Sequence, residues 1–443
     1  CYVSFSSLPT MAMSLEDAIR ASLKHSTVIS AARQSWIASR EAIGSNSSTS
    51  DLSVRLTSTG TLAKTDKHDG GGFNKSNSLG TGITLFKNLY DGGQTKENVR
   101  LAQINLQMAS ASYAKSEQEV ILTTIEAYLD VSKARREVKL HEKNLTRLEA
   151  HVNAAKIRVE AGAATPTRLA EAKARYARAR SDAILTQTRL SNAKDNFRSL
   201  TGTDDYSSMQ PAVAYNLPTD MLGAETVAQS AHPDILLAIA AERAANQAFN
   251  TLQAAVRPTV AFSLSANKRV ATGTSLDRDE FAAQIVFSAP LLSTNATTAK
   301  ARNVAANYEA AKLNRSEAIR KTRVAAREKF RKWVTTAARL EAVLSEIEAF
   351  RLVAKGTASE AQFGQRTILD LLDAEKDVND AELSLVTAEH DQALAAFRLK
   401  AAIGNLTAEH MGLSNVLGSL LDLPGTKNPF QTTFPFRRKI AID

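Results

Sequence analysis

The chain has 443 residues and a formal net charge of +9, from 55 Lys and Arg against 46 Asp and Glu. The positive charge is not clustered and no basic run is interleaved with aromatic residues, so nucleic-acid binding is not expected. The single cysteine, Cys1, leaves no disulfide and no cysteine-based metal site within the sequence. No run of about 18 apolar residues occurs, so no helical membrane span is expected. The abundant Ala, Arg, Glu, Gln and Leu are typical of long helices.

Residues 1–12 are predicted to be the remnant of a signal peptide. Thr10-Met-Ala12 places small residues where signal peptidase cleaves, so the mature chain would begin near Met13. Lipid modification of Cys1 is an alternative that these residues leave open. Either interpretation exports the protein.

A helix is predicted from Ser14, a favourable N-cap, to about Ile43. Leu52–Thr57 and Leu79–Leu85 then alternate apolar and polar residues, which is typical of strands with one apolar face. Ala63–Asn77 lies between the two strands, is polar and contains consecutive glycines, so it is predicted to be a flexible loop.

A very long helix is predicted from Gln94 to about Glu160, where the sequence has neither proline nor glycine. Apolar residues repeat near its end at the spacing of a coiled coil: Leu145, Leu148, Val152, Ala155 and Val159. At 1.5 Å per residue such a helix spans on the order of 100 Å. A turn at Gly162 and a returning helix over Thr167–Leu200 complete a helical hairpin.

The chain is a tandem duplication with an offset of 202 residues. The offset superposes the residues of the two turns: Gly162 with Gly364, Thr165 with Thr367, and Leu169 with Leu371. The first structural repeat is therefore residues 13–202 and the second is 224–413, joined by a linker over 203–223. Residues 414–443 are predicted to be an irregular, poorly ordered tail.

The second repeat predicts the same order of elements as the first. They are a helix over Ala224–Ala255, strands over Val260–Ser265 and Phe281–Phe287 with a polar loop over Asn267–Glu280, a long helix over Asn295–Gly356, the turn at Gly364 and a helix ending near Ile403. The chain therefore has four predicted strands and two long helical hairpins.

The four strands cannot close a barrel by themselves. An open sheet edge cannot face lipid because its backbone groups would lack partners, and barrels begin at about eight strands. Three chains would supply twelve strands and leave room for a lumen. A soluble or surface trimeric coiled-coil scaffold or adhesin is the alternative, but it leaves two isolated hairpins unexplained, since a lone hairpin is marginal in water.

Several motifs resemble the TolC family of outer-membrane efflux ducts: Leu89-Tyr-Asp-Gly-Gly93, the turn over Gly364–Ala374, and Ala401–Gly404. The resemblance covers about residues 14–413. It implies a mainly α fold with a small β part, built from two tandem repeats. Long coiled-coil helical hairpins would form a periplasmic α-barrel, and four strands per chain would contribute to a trimeric 12-stranded transmembrane β-barrel.

The function implied by the resemblance is a passive exit duct for tripartite efflux or type I secretion in the outer membrane of a Gram-negative bacterium. A homotrimer would sit in outer-membrane lipid and open at its periplasmic tip when a periplasmic adaptor and an inner-membrane pump, of RND or ABC type, engage it. No enzymatic activity, cofactor or metal is expected, because the seven histidines are scattered and no catalytic constellation occurs.

Three charged residues are candidates for the gate. Asp370 and Asp373 lie three apart on one predicted helix, so both carboxylates can point the same way. In a trimer each becomes a ring of three that attracts cations at a constriction, and the resemblance places both rings at the periplasmic entrance. Arg366 resembles the arginine that ties neighbouring helices shut, one turn before Asp370 if the helix is regular. Arg168 stands where the family pattern has an aspartate, so the closing network differs there.

The two glycine turns are the expected contact surface for an adaptor. The residues assigned to it are Gly162, Thr165, Leu169, Gly364, Thr367 and Leu371. Gly162–Gly202 has eight Lys/Arg and three Asp/Glu, a charge of +5, whereas Gly364–Gly404 has four and eight, a charge of −4. Opposite charges suggest complementary neighbours in a ring, although solvated surfaces would look the same.

Overall fold

The computed structural model describes residues 13–66, 73–204, 206, 209, 214, 216–273, 277–291, 295–411 and 413. The predicted signal remnant, 1–12, and the predicted tail, 414–443, lie outside the described residues. The elements in order are α1 (Leu15–His25), α2 (Thr27–Ser47), a short 3-10 turn (Ser48–Ser50), β1 (Ser53–Asp66), β2 (Phe73–Tyr90), α3 (Gln94–Glu160), α4 (Pro166–Thr201), α5 (Met221–Ala231), α6 (Pro233–Ala255), β3 (Thr259–Gly273), β4 (Arg278–Ser288), α7 (Asn295–Gln362) and α8 (Ile368–Ala402). None of the helices described combines enough length with enough apolar character to cross a membrane.

Two compact units divide the chain. The sheet unit consists of Gln34–Tyr113 and Pro233–Thr322, and the helical unit consists of Cys1–Arg33, Ala114–His232 and Arg323–Asp443. Each unit takes equivalent segments from both halves of the sequence, so the duplication is built into both units.

Both predicted helical hairpins are present. The long helices α3 and α7 have 67 and 68 residues, and the returning helices α4 and α8 have 36 and 35. Helix α7 continues through Gly356 to Gln362, beyond its predicted end. A single glycine costs a helix only about 1 kcal/mol, and the space around Gly356 is open, so the helix tolerates it.

The first helix of each repeat is interrupted, which corrects the prediction of one continuous helix. Helix α1 ends at His25, and the hydroxyl of the next residue, Ser26, accepts a hydrogen bond from Ile29 N (3.3 Å) and so caps α2. In the second repeat α5 ends at His232, which has an extended backbone with ψ 127°. Pro233 follows as the first residue of α6, and the residue before a proline is disfavoured in the helical conformation.

The structure corrects the two predicted polar loops, because most of their described residues belong to strands. Within Ala63–Asn77, β1 continues to Asp66 and β2 begins at Phe73; within Asn267–Glu280, β3 continues to Gly273 and β4 begins at Arg278. The reason is that backbone hydrogen bonds extend an antiparallel ladder whether its side chains are apolar or polar. Alternation of apolar residues therefore marks only the half-buried part of a strand.

The four strands form one antiparallel sheet in the order β1-β2-β3-β4, with one apolar and one polar face. Residues that the register places on the apolar face are Val54, Leu56 and Leu62 of β1, Leu79, Ile83 and Leu85 of β2, Val260, Phe262 and Leu264 of β3, and Phe281, Ile285 and Phe287 of β4. Many of them are exposed in the single chain, with Leu62 and Phe281 at 84%. The strands β1 and β4 are the two edges of the sheet.

The core of the helical unit contains two equivalent clusters. Tyr128 and Phe197 are fully buried in the first, with ring centroids 6.3 Å apart. The offset of 202 relates them to Phe330 and Leu399, which are buried in the second cluster. The Tyr128 hydroxyl donates a hydrogen bond to Met13 O (3.3 Å), so its polar end is also satisfied.

One buried joint differs in chemistry between the repeats. Glu225 of α5 is 6% exposed and lies between two arginines of α7: it accepts two hydrogen bonds from Arg327, one of them 3.1 Å long, and its carboxylate is 3.8 Å from Arg323. In the first repeat the corresponding positions, with α1 and α5 aligned by their N-caps, are the fully buried Ile19, Ile121 and Ile125. Equivalent places therefore hold a buried apolar contact in one repeat and, in the other, a buried carboxylate paired with two arginines that are about half exposed.

Two glycines let the returning helices end against the short first helices. Gly202 and Gly404 follow α4 and α8 with φ of 70° and 80°, in the left-handed region that favours glycine. A Cβ on Gly202 would come within 2.9 Å of the His25 ring, and one on Gly404 within 2.8 Å of Ala231 O. Both the backbone conformation and the close approach therefore require glycine at these two positions.

Candidate functional site

The candidate site is the pair of turns that join the long helices to the returning helices. Gly162 and Gly364 have φ of 71° and 74°, the left-handed conformation that ends many helices. In the second turn Gln365 N donates to Glu360 O at 2.9 Å, and the first turn has the equivalent bond at 2.8 Å. Nothing lies within 4 Å of a Cβ built on either glycine, so backbone conformation alone selects glycine here. The predicted turns are confirmed.

The two returning helices begin with different caps. Thr367 and Asp370 form a capping box at the start of α8: Asp370 N donates to Thr367 Oγ1 (3.1 Å) and Thr367 N donates to Asp370 Oδ2 (2.9 Å). Helix α4 starts instead with Pro166 after the N-cap Thr165, whose side chain makes no capping bond. Two of the predicted adaptor-contact residues are thus the N-caps of their helices.

The cap also stabilises the charged form of Asp370. The backbone N–H and then the hydroxyl of Thr367 hold the pKa of the Asp370 carboxyl below its ordinary value, so the group stays ionised at more acidic pH than a free aspartate. Both bonds go to Oδ2, and in the described part of the chain no bond to Oδ1 is present. Asp370 can therefore cap its helix and still present a negative oxygen to solvent.

Asp373 binds a basic residue of the neighbouring helix in the same chain. Arg175 of α4 lies 2.8 Å from Asp373 Oδ1, and the aspartate is still 56% exposed. Two residues of α3 approach another acidic residue of α8: Arg147 Nε lies 3.6 Å and His151 Nε2 lies 3.1 Å from Glu375 Oε2. Some of the opposite charges of the two turn regions therefore pair with each other within one chain.

Arg366 lies in the turn and not on the helix, which corrects the assumption that it precedes Asp370 on one regular helix. Helix α8 begins at Ile368, and its N-cap Thr367 has an extended backbone (φ −82°, ψ 158°). The Arg366 guanidinium forms an ion pair with Glu360 Oε2 at 3.0 Å, and its side chain is 56% exposed. Exposed pairs of this kind contribute little to stability, so Glu360 can be exchanged for another partner.

An exposed aromatic residue in the second turn was not found from the sequence. Phe363 is 79% exposed, directly before Gly364. The offset pairs it with Ala161, so the aromatic ring occurs in one turn only. The difference between the two copies was the signal that could have revealed it. The other predicted contact residues of the turns, Leu169 and Leu371, lie about one helical turn after the N-caps of α4 and α8 and are half-buried.

A half-buried histidine, His390, joins α3 to α8 away from the turns. His390 Nε2 lies 3.0 Å from Asp130 Oδ1, and its Nδ1 lies 3.3 Å from Asp391 Oδ1. Burial lowers the pKa of His390, but the hydrogen bonds that its ring makes to the carboxylates of Asp130 and Asp391 outweigh that effect and raise it. In the described ranges no group of three or more His, Cys, Asp or Glu side chains could hold a metal ion. The histidine is therefore interpreted as part of helix packing.

Both halves of the chain match one protein family. The family described as outer membrane efflux protein matches residues 18–203 and 226–405, which include both turns and both long helices. The chain belongs to the outer membrane efflux protein family. The predicted family and fold class are confirmed.

Relatives and solved structures agree with this assignment. The outer membrane efflux protein BepC of Brucella suis is 28% identical over 334 residues, covering 75% of this chain and 73% of the relative. The outer membrane protein TolC of Vibrio cholerae is 23% identical over 357 residues, covering 76% and 78%. The crystal structure of the Campylobacter jejuni CmeC outer membrane channel superposes with a TM-score of 0.75 at 13% identity, covering 95% of this chain and 94% of that chain.

These relatives place the protein in the outer membrane of a Gram-negative bacterium, as predicted. They are efflux proteins that act as conduits and not as enzymes, in agreement with the expectation from the sequence. The protein is therefore an outer-membrane efflux channel of this family.

Proposed function

We propose that three copies of the chain form a passive exit duct across the outer membrane, for tripartite efflux or type I secretion. The observation that carries the proposal is the four-stranded sheet with an exposed apolar face, a polar face and two edges. Sheet edges in lipid must be paired, and three chains supply twelve strands, which lies within the range of bacterial barrels. The apolar face would contact lipid and the polar face would line the lumen.

The long helices support association of several chains. Large apolar side chains remain exposed on them in the single chain: Ile157, Leu313, Leu344, Leu352 and Val353. Exposed apolar surface of this kind marks contact sites between proteins. In the proposed homotrimer these residues are covered by the helices of neighbouring chains, and the six hairpins form a periplasmic tunnel.

The second turn would act as the gate of this tunnel. Arg366 has only an exposed intrachain partner, so its guanidinium fork could bond a neighbouring chain in the closed state. Asp370 and Asp373 lie one turn apart on α8, where Asp370 is half-buried and Asp373 is 56% exposed. In a trimer each would form a ring of three negative charges that favours cations.

The two glycine turns would be the contact surface for a periplasmic adaptor, which couples the duct to an inner-membrane pump of RND or ABC type. Their backbone is fixed by Gly162 and Gly364, and Phe363 adds an exposed aromatic ring. Aromatic residues are enriched among the side chains that dominate binding energy. Phe363 is therefore the side chain that we expect to contribute most to this contact.

The barrel proposal predicts opposite outcomes for two neighbouring residues of β4. Ile285 lies on the apolar face and is 68% exposed in the single chain, whereas Gln284 lies on the polar face. Ile285→Lys places a charge in lipid at a cost of about 2–4 kcal/mol and should reduce the amount of trimer in the outer membrane. Gln284→Lys should assemble like the wild type. Mass measurement in mild detergent checks both, and equal assembly of the two variants, or a monomeric wild type, contradicts the proposal.

The docking proposal predicts that Phe363→Ala weakens adaptor binding by roughly tenfold, since truncated anchor residues typically cost more than 1 kcal/mol. Gln365→Ala in the same turn is the control and should bind normally. Binding of the purified cognate adaptor to immobilised trimer measures the effect. Wild-type affinity of Phe363→Ala would place the contact elsewhere.

The gate proposal predicts that Arg366→Ser gives larger single-channel conductance in planar bilayers, because three chains lose a donor that holds the closed tip. Glu360→Gln is the matched control, since it breaks the same intrachain pair but keeps the guanidinium. If Glu360→Gln opens the channel as much as Arg366→Ser, the arginine acts only through Glu360 and not across chains.

The ring proposal predicts that Asp370→Asn with Asp373→Asn lowers cation preference and weakens block by multivalent cations. Asparagine is used because its amide oxygen can still accept the capping bond from Thr367, so charge is removed and the helix start is kept. The native preference should fall above ~0.1 M salt, where the Debye length is about 10 Å. Reversal potentials that do not differ between the variant and the wild type would mean that these carboxylates face outward.

A further inference from the structure

Two arginines lie directly opposite each other on the paired strands β3 and β4. The register of β3 and β4 places Arg269 opposite Arg278, and both side chains are exposed. Residues opposite each other in an antiparallel pair project from the same face with Cβ atoms about 5 Å apart, and like charges in that arrangement are destabilising. A negatively charged group placed between the two guanidinium groups would relieve this repulsion.

On the other face of the sheet, the neighbouring residues of the same strands carry opposite charges. Lys268 is opposite Asp279, and the two form an ion pair with Nζ 3.8 Å from Oδ1. Within the described residues, no carboxylate forms an ion pair with Arg269 or Arg278. The nearby Asp277 carboxylate instead accepts a hydrogen bond from Ala271 N at 2.8 Å. On the polar face Glu280 lies opposite Asn267, beside the arginine pair, but in the part of the chain that the structure describes it forms no ion pair with either arginine. The positive charge is thus paired on one face and only partly offset on the other.

The unmatched pair lies on the polar face beside open space. Alternation along β4 puts Arg278 on the side of Gln284, opposite the apolar residue Phe281. The partner of Arg269 on β2 is Gly80, and a Cβ there would meet only Thr59 O, at 3.9 Å. A glycine next to the arginines leaves room on the sheet for a small group of atoms.

A polar amide borders this space. Asn267, two residues before Arg269 on the same face, extends its side chain over Gly82, where a Cβ would collide with its Oδ1 and Cγ. Glycines at 80 and 82 thus leave a shallow floor between the arginines and the amide. Two guanidinium groups and an amide provide donors of the kind that bind oxyanions.

We propose that Arg269 and Arg278 form a binding site for the oxyanion group of a solute, a phosphate or carboxylate, with Gly80 as its floor. The location of the site in a lumen rests on the proposed function: there, three chains would place six guanidinium groups in one band. Arginine rings of this kind select for anions in pores, and the planar fork matches phosphate and carboxylate geometry. The band then attracts the anionic groups of a solute locally, apart from the cation preference proposed for the aspartate rings at the tip.

The test compares the double variant Arg269→Gln/Arg278→Gln with the matched double variant Lys268→Gln/Asp279→Asn on the apolar face. Binding of inorganic phosphate to the whole protein in mild detergent is measured by titration calorimetry. The wild type and the apolar-face variant should bind equally, and the arginine variant should bind roughly tenfold more weakly, since charge-assisted hydrogen bonds are lost. Equal binding by all three proteins, or none by the wild type, overturns the proposal.

Bilayer recordings separate this site from the duct itself. With phosphate as the only anion, the arginine variant should show a lower anion-to-cation permeability ratio than the apolar-face variant. A wild type that binds phosphate but does not conduct would count against the duct and leave the binding site standing. If detergent micelles that contain phosphatidylglycerol stabilise the wild type but not the arginine variant, while phosphate binding is the same in both, the pair faces lipid headgroups and the solute site is wrong.

Discussion

The backbone groups along the outer edges of β1 and β4 impose the strongest constraint on this protein. In water they could be solvated, but in lipid each unsatisfied N–H or C=O costs several kcal/mol. The sheet cannot satisfy them internally, because four strands in the order β1-β2-β3-β4 always leave two edges. In the proposed trimer these edges are paired with the strands of neighbouring chains, and the exposed apolar residues of the long helices are covered by neighbouring helices.

The duplication preserves backbone geometry more strictly than chemistry. Both turns and both helix ends use glycines with positive φ, such as Gly162 and Gly364. At equivalent positions, however, one repeat has three buried isoleucines and the other has the buried Glu225 paired with two half-exposed arginines. Backbone conformation is set by local sterics that few residues can meet, whereas a joint of given volume can be filled by apolar or paired charged side chains.

Features governed by local sequence could be predicted, and features governed by tertiary contacts could not. The long helices follow from the lack of proline and glycine, and the turns from Gly162 and Gly364. The strand ends within Ala63–Asn77 could not be found, because ladder bonds do not depend on side-chain polarity. The position of Arg366 was missed because Thr367 caps α8. The pairing of Asp373 with Arg175 joins residues distant in sequence, which no local pattern reports.

The difference between Phe363 and Ala161 affects how many partners the tip can hold. In the proposed trimer the ring carries six turns, but they are of two kinds and alternate, so its symmetry is threefold and not sixfold. A partner that recognises only the left-handed backbone at Gly162 and Gly364 would find six equal sites. A partner with a pocket for an aromatic ring would find three, and its saturating stoichiometry would be one per chain.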